Sequence, residues 1–146
     1  MGVDVLTEVV IDRPVVVVAE YVTDPSHAPE WYANIESVRW RGELPVVVGA
    51  QMEFVARFLG RRLVYTYEVT ELNAHHRLVM RTAQGPFPME TTYEWAPIVG
   101  AATRMTLRNR GEPSGLAGMA APLVSAAVRR ANAKDLATLK TLLESR

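Results

Sequence analysis

Residues 52–109 read MEFVARFLG RRLVYTYEVT ELNAHHRLVM RTAQGPFPME TTYEWAPIVG AATRMTLRN, and the fold turns on how this stretch divides. Apolar and aromatic residues alternate with polar ones at the two-residue period of half-buried strands, and turn signals break the alternation three times. Gly60-Arg61 is a two-residue Gly-X connection of the kind that closes tight hairpins. It sets Phe58 opposite Leu63, Ala56 opposite Tyr65 and Phe54 opposite Tyr67. A turn over residues 73–76 sets Val69 opposite Met80 and Tyr67 opposite Thr82. A last turn near Val99-Gly100 sets Glu94 against Arg104, Thr92 against Thr106 and Glu90 against Arg108 on one face. Tyr93 with Met105 and Thr91 with Leu107 fall on the other. Opposite charges and paired threonines are the cross-strand pairs that suit a solvated face. Three turns placed separately give one sidedness, and that agreement predicts a single curved antiparallel sheet with an apolar inner face.

Outward from the sheet, Val3–Ile11 alternates as a strand, with Asp4 and Glu8 on one face and Val3, Val5, Thr7, Val9 and Ile11 on the other. Pro14 suits the first turn of a helix with Asp12 as its cap, but Val15, Val16, Val17 and Val18 are β-branched and favour a strand. The residues alone leave helix and strand both open there. Asp24-Pro25-Ser26 and Pro29 punctuate the chain, and a short helix or two turns between them and Tyr32 carry Trp31 and Tyr32. Residues 37–40 read as a short strand and residues 42–49 as a loop. The composition changes at Gly111-Glu112-Pro113-Ser114-Gly115. Beyond Pro122, Leu123, Ala127, Ala131, Leu136, Leu139 and Leu143 recur near helical spacing, which predicts an amphipathic helix of roughly two dozen residues. The small side chains of residues 117–127 make its first half slender.

The 146 residues suit one domain spanning 1–146. The 16 basic residues balance the 16 acidic ones and are scattered, so neither a nucleic-acid footprint nor a basic membrane-binding face is present. No cysteine is present, which excludes thiol nucleophiles and thiolate metal sites. The N-terminus lacks the basic and apolar regions of a signal peptide, and the valine runs are too short to span a bilayer, so a cytoplasmic domain without stable membrane anchoring is expected.

At this point the chain resembles the START-like (SRPBCC) superfamily, the helix-grip fold, in its bacterial polyketide cyclase/dehydrase-like branch. The resemblance is carried by Val9-Val10-Ile11-Asp12-Arg13-Pro14, Tyr21-Val22-Thr23-Asp24-Pro25 and Glu30-Trp31-Tyr32. Further on it rests on Leu78-Val79-Met80-Arg81-Thr82, Gly85-Pro86-Phe87-Pro88 and Thr103-Arg104-Met105-Thr106-Leu107. It implies an α+β architecture: a curved seven-stranded antiparallel sheet wrapped around a long C-terminal helix, with two short helices after strand 1. It makes residues 14–23 a helix and pairs the first strand with the last. It also implies a cavity between sheet and helix for a lipid, polyketide or other small hydrophobic molecule.

Projecting the hairpin registers inward gives a candidate ligand-binding wall. Phe54, Phe58, Tyr65, Tyr67, Met80, Thr82, Met89, Thr91, Tyr93, Trp95, Met105, Leu107 and Asn109 face it from the strands. Trp31 joins from the short helix, Phe87 from the 85–88 loop, and Leu116, Met119 and Leu123 from the approach to the last helix, where Phe87, Leu116 and Met119 would gate the mouth. An apolar wall with few polar groups is the usual make-up of a small-molecule site. Inward positions of the four central strands hold no Asp, His, Lys or Arg, and Glu71 shares their parity only at a strand end. Tyr65, Tyr67 and Tyr93 are therefore the weak catalytic candidates, able to polarise a carbonyl or simply to orient a ligand. His75-His76 sits in a turn without a third ligand, and His27 lies in a loop near the mouth. No Gly-x-Gly-x-x-Gly, P-loop or Gly-x-Ser-x-Gly motif occurs, so neither a cofactor nor a metal is implied. A carrier or sensor is the leading reading, and a polyketide cyclase, aromatase or dehydratase is the alternative. An interaction module is a third, against which the outer charge ladder argues. A homodimer through an exposed edge of Trp40 or Trp95 is compatible with the sequence.

Overall fold

The computed structural model describes residues 2–112 and 120–146. Strand β1 spans Val3–Ile11, and helix α1, Val15–Thr23, follows it. A 3₁₀ turn over Pro25–His27 leads into the one-turn helix α2, Ala28–Trp31. Six strands come next: β2 (Ile35–Trp40), β3 (Gln51–Phe58), β4 (Arg61–Asn73), β5 (Arg77–Gln84), β6 (Met89–Ile98) and β7 (Ala102–Gly111). Helix α3, Ala121–Glu144, ends the chain. The strands form one antiparallel sheet in the order β1-β7-β6-β5-β4-β3-β2, with Val3 opposite Gly111 and Ile11 opposite Thr103 where first and last strands meet.

The valine run is helical because of its spacing. Val18, Ala19 and Val22 lie on one face of α1 and are buried together with Tyr21, while Val16 and Val17 face solvent. A three- and four-residue stripe packed on a core overrides weak intrinsic propensity. Pro14 itself holds the cap position in an extended conformation. Asp12 is no cap: its backbone N–H donates to Glu144 Oε2 at 2.8 Å, which ties the end of β1 to the last turn of α3.

Two of the three hairpin registers differ from the expected ones. The first turn is Leu59-Gly60, with φ of 51° and 76°, so Phe58 opposes Arg61, Ala56 opposes Leu63 and Phe54 opposes Tyr65. A two-residue turn with both central residues at positive φ matches the twist of the flanking strands, and glycine fills its second position. The last hairpin turns through Val99, Gly100 and Ala101, which sets Trp95 against Met105, Tyr93 against Leu107 and Thr91 against Asn109. Both corrections slide the pairing by two residues, and an even slide leaves every side chain on its own face. The outer charges consequently find other partners. Arg81 pairs with Glu90 at 2.5 Å, Arg77 with Glu94 at 2.6 Å, and Arg108 with Asp4 at 2.6 Å. The middle turn places Val69 opposite Met80 and Tyr67 opposite Thr82, as expected. A β-bulge between Val69 and Glu71 then reverses sidedness, turning Leu72 inward with Leu78 and leaving Glu71 exposed against Arg77 at 2.9 Å.

The Asp4–Arg108 pair predicts a modest acid sensitivity. The Arg108 hydrogen bond holds the Asp4 carboxyl below its usual range. A depressed folded pKa contributes stability that is present above the unfolded value and is lost as pH falls through the folded one. Asp4→Asn should therefore cost no more than about 1 kcal/mol near neutrality, the range for exposed pairs. The gap between variant and wild-type melting temperatures should close below about pH 4, where the unfolded aspartate protonates.

In α3 the buried stripe runs through Val124, Asn132, Asp135, Leu136, Leu139 and Leu143, with Val128 partly covered. Leu123 is 61% exposed, one position off that stripe, and does not face the sheet. Among the described residues no helix is long and apolar enough to cross a membrane.

Candidate functional site

The inner face of the sheet is divided in two. At one end it is filled: Trp95, Met105 and Leu107 share a buried cluster with Ile11, Val18, Leu136, Leu139 and Leu143. At the other end α3 presents Val124, Val128, Ala131 and Asn132, and these shorter side chains leave a cavity of about 190 Å³. Pockets for drug-sized ligands start at about 300 Å³. A dry engineered cavity of about 150 Å³ is enough for benzene. The space suits a compact molecule of one ring and a short chain.

Many residues expected on the wall line this cavity. Phe54, Phe58, Tyr65, Tyr67 and Met80 do so from β3, β4 and β5, and Met89, Thr91, Tyr93 and Asn109 from β6 and β7. Trp31 of α2 and Phe87 of the β5–β6 loop close two sides. Trp95, Met105 and Leu107 face inward and are buried in one cluster with the leucines of α3, but they do not line the cavity. Thr82 is withdrawn too, its hydroxyl accepting the Met89 backbone N–H at 3.0 Å. Leu123 points to solvent, and Leu116 and Met119 lie outside the described residues. His27 is occupied structurally: its ring stacks on Tyr21 at 4.1 Å and its Nδ1 meets the Tyr21 carbonyl oxygen at 2.8 Å.

The polar part of the wall is richer than the strands alone implied. Tyr32, at the end of α2, places its hydroxyl 2.6 Å from that of Tyr93. Tyr67 meets the Thr91 hydroxyl at 2.7 Å, Asn109 Nδ2 donates to the same oxygen at 2.8 Å, and Asn132 Nδ2 of α3 donates to Asn109 Oδ1. This chain of side chains runs from sheet to helix. Thr91→Val removes its central hydroxyl and strands the buried Tyr67 hydroxyl and the half-buried Asn109 amide, a loss of about 1–3 kcal/mol. Thermal unfolding should show it as a drop of several degrees.

Asp135 is the acid that the strand parity did not reveal. It reaches the wall from α3, is 3% exposed, and its Oδ1 accepts the Ala33 backbone N–H at 3.1 Å. Burial raises its pKa, opposed by the Ala33 hydrogen bond and by Lys134. A sequence signal for it exists. Asp135 and Asn132 sit four and seven residues before Leu139, on the helical stripe of the buried leucines. Burial pushes the Tyr67 phenol up to about 12, against the hydrogen bond from Thr91. It raises Tyr32, Tyr65 and Tyr93 as well. All four are neutral phenols at physiological pH, suited to donate hydrogen bonds and unsuited to act as bases. Among the described residues no cluster of three acidic, histidine or cysteine side chains could hold a metal.

Comparison with known proteins follows the same lines. No curated protein matches the chain in sequence. A START superfamily protein from Mycobacterium smegmatis is similar in structure, with a TM-score of 0.83, 15% identity, and 97% of each chain covered. The Zhui aromatase/cyclase from a Streptomyces species is similar with a TM-score of 0.80 and 18% identity, covering 100% of this chain and 96% of that one. A major latex-like protein from Panax ginseng follows at a TM-score of 0.69 and 14% identity, with 99% and 96% covered. At these identities the likeness is one of fold, a helix-grip sheet with its C-terminal helix. The family described as "Polyketide cyclase / dehydrase and lipid transport" matches residues 3–144, and with that span the chain belongs to this family.

Proposed function

We propose that the chain binds one small, largely apolar molecule of aromatic size in this cavity, as a carrier or sensor. The observation that carries the reading is the state of the wall's donors. Among the described residues the Trp31 indole N–H on the wall is buried without a partner, as is that of Trp95 in the core, and the Tyr65 hydroxyl that lines the cavity makes no hydrogen bond. Native proteins pair nearly all buried polar groups, and an occupant of the cavity would supply an acceptor to the two donors on its wall. The same reading has the chain act as a single cytoplasmic domain without a cofactor. It is tested by native mass spectrometry and thermal shift against a panel of monocyclic aromatics and short acyl compounds. One-to-one binding with a raised melting temperature is expected. A panel without a single binder would overturn it.

Asp135 favours a second reading, a cyclase, aromatase or dehydratase, because a buried carboxyl with a raised pKa can move protons. Cavity size weighs against it, since a long poly-β-ketone would have to displace wall residues. Turnover of a poly-β-ketone surrogate by wild type, Tyr65→Phe, Tyr93→Phe and Asp135→Asn decides it. Equal product ratios with and without protein would remove the enzymatic reading.

A further inference from the structure

Among the described residues the cavity wall carries one carboxylate, Asp135, and no cation bonded to it. Asp135 lines the wall and is almost fully buried, and only its Oδ1 is engaged. Oδ2 has no hydrogen-bond partner among the described residues, and Asp135 forms no ion pair there. The two cations that reach the wall are committed elsewhere. Arg57 pairs with Glu36 at 3.4 Å, and Arg110 lies 3.8 Å from Glu90 and 4.0 Å from Asp4. A buried carboxylate satisfied at one oxygen carries a desolvation cost that a donor removes and a second anion increases. Aromatic rings line the same cavity: Trp31 packs on Tyr32 at 4.0 Å and on Tyr93 at 6.0 Å. Such faces attract N–H and O–H groups and cations.

Resting on the binding function proposed above, we infer that the ligand is an aromatic-sized molecule with a hydrogen-bond-donating head, a hydroxyl or a protonated amine, directed at Asp135 Oδ2. Carboxylate-headed molecules such as fatty acids are rejected. A hydroxyl has the further property of accepting from the free Tyr65 or Trp31 donor while it donates to Asp135. An ammonium group instead gains the aromatic faces. The hook on Ala33 does not account for the free oxygen, because asparagine would accept that N–H equally well.

The test is a near-isosteric series measured by calorimetry at neutral pH on the full chain: 2-phenylethanol, phenethylamine, phenylacetate and ethylbenzene. In wild type the alcohol or the amine should bind more tightly than phenylacetate and ethylbenzene by about tenfold or more, the low end for a hydrogen bond to a charged group. The stronger of the two identifies the head group. In Asp135→Asn that preference should collapse, with the melting temperature confirming a folded protein. Should the variant not fold, the wild-type ranking decides alone. Phenylacetate binding as tightly as the alcohol and amine, or a ranking untouched by Asp135→Asn, would overturn the inference and leave the cavity reading standing. Failure of all four compounds to bind would overturn both.

Discussion

Leu139→Ala is expected to be the most destabilising single truncation in α3, costing about 3–5 kcal/mol, the upper part of the range for buried leucines. Leu139 is 0% exposed and belongs to the cluster that joins α3 to Met105 and Leu107 of β7, Ile11 of β1 and Val18 of α1. Its removal opens a void at the filled end of the fold, where first strand, last strand and both larger helices converge. The surroundings cannot collapse into that void without moving the helix, which is why the cost lies high in the range. For a chain of this size each kcal/mol lowers the melting temperature by about 2–4 °C, so a fall of roughly 6–20 °C is expected. A loss under about 1 kcal/mol by chemical denaturation would show that the cluster does not hold the helix to the sheet.

Ala131→Phe should have the largest effect on binding. Ala131 lines the cavity where α3 crosses its open half, and a phenyl ring there occupies the space that a ligand ring would take. Affinity for any bound member of the aromatic panel should fall about 100-fold or more, which corresponds to losing roughly 2.7 kcal/mol. Stability should hold or rise, because filling a void adds packing without stretching a full core. Ala137→Phe, on the exposed face of the same helix, controls for a bulky residue in α3 and should leave affinity unchanged. Unaltered binding by folded Ala131→Phe would place the ligand outside the cavity.

Much of the sheet was legible because sidedness survives errors of register. Gly60 was assigned to the first turn position and occupies the second, which moved Phe54 from Tyr67 to Tyr65 yet kept all three rings inside. The last hairpin slid by the same even step. The charge pairs were not legible, since they depend on register itself. Glu90 and Glu94 meet Arg81 and Arg77 of β5, not Arg108 and Arg104 of β7 to which a turn placed one residue earlier assigned them. The bulge in β4 was also invisible, because a bulge is one residue of excess in a strand whose composition does not change.

The site divided along another line. Alternation identified which strand residues face inward, but it could not say which of them a helix would cover. Trp95, Met105 and Leu107 share the inner face with Tyr93 and Asn109, and only the packing of α3 leaves the last two on a cavity wall and the first three off it. Nor could strand parity find Asp135, which comes from the covering helix.

The sequence by itself determined the inward face of the sheet and the two dozen residues of the last helix. Each rests on local periodicity, which a chain carries in its order of residues. The tertiary structure alone decided where the core ends and the cavity begins, and that a lone carboxylate faces it. Those facts depend on the docking phase of α3, set by Leu136, Leu139 and Leu143 packing at the filled end. The same rotation that buries the three leucines carries Asn132 and Asp135 inward and turns Leu123 out to water.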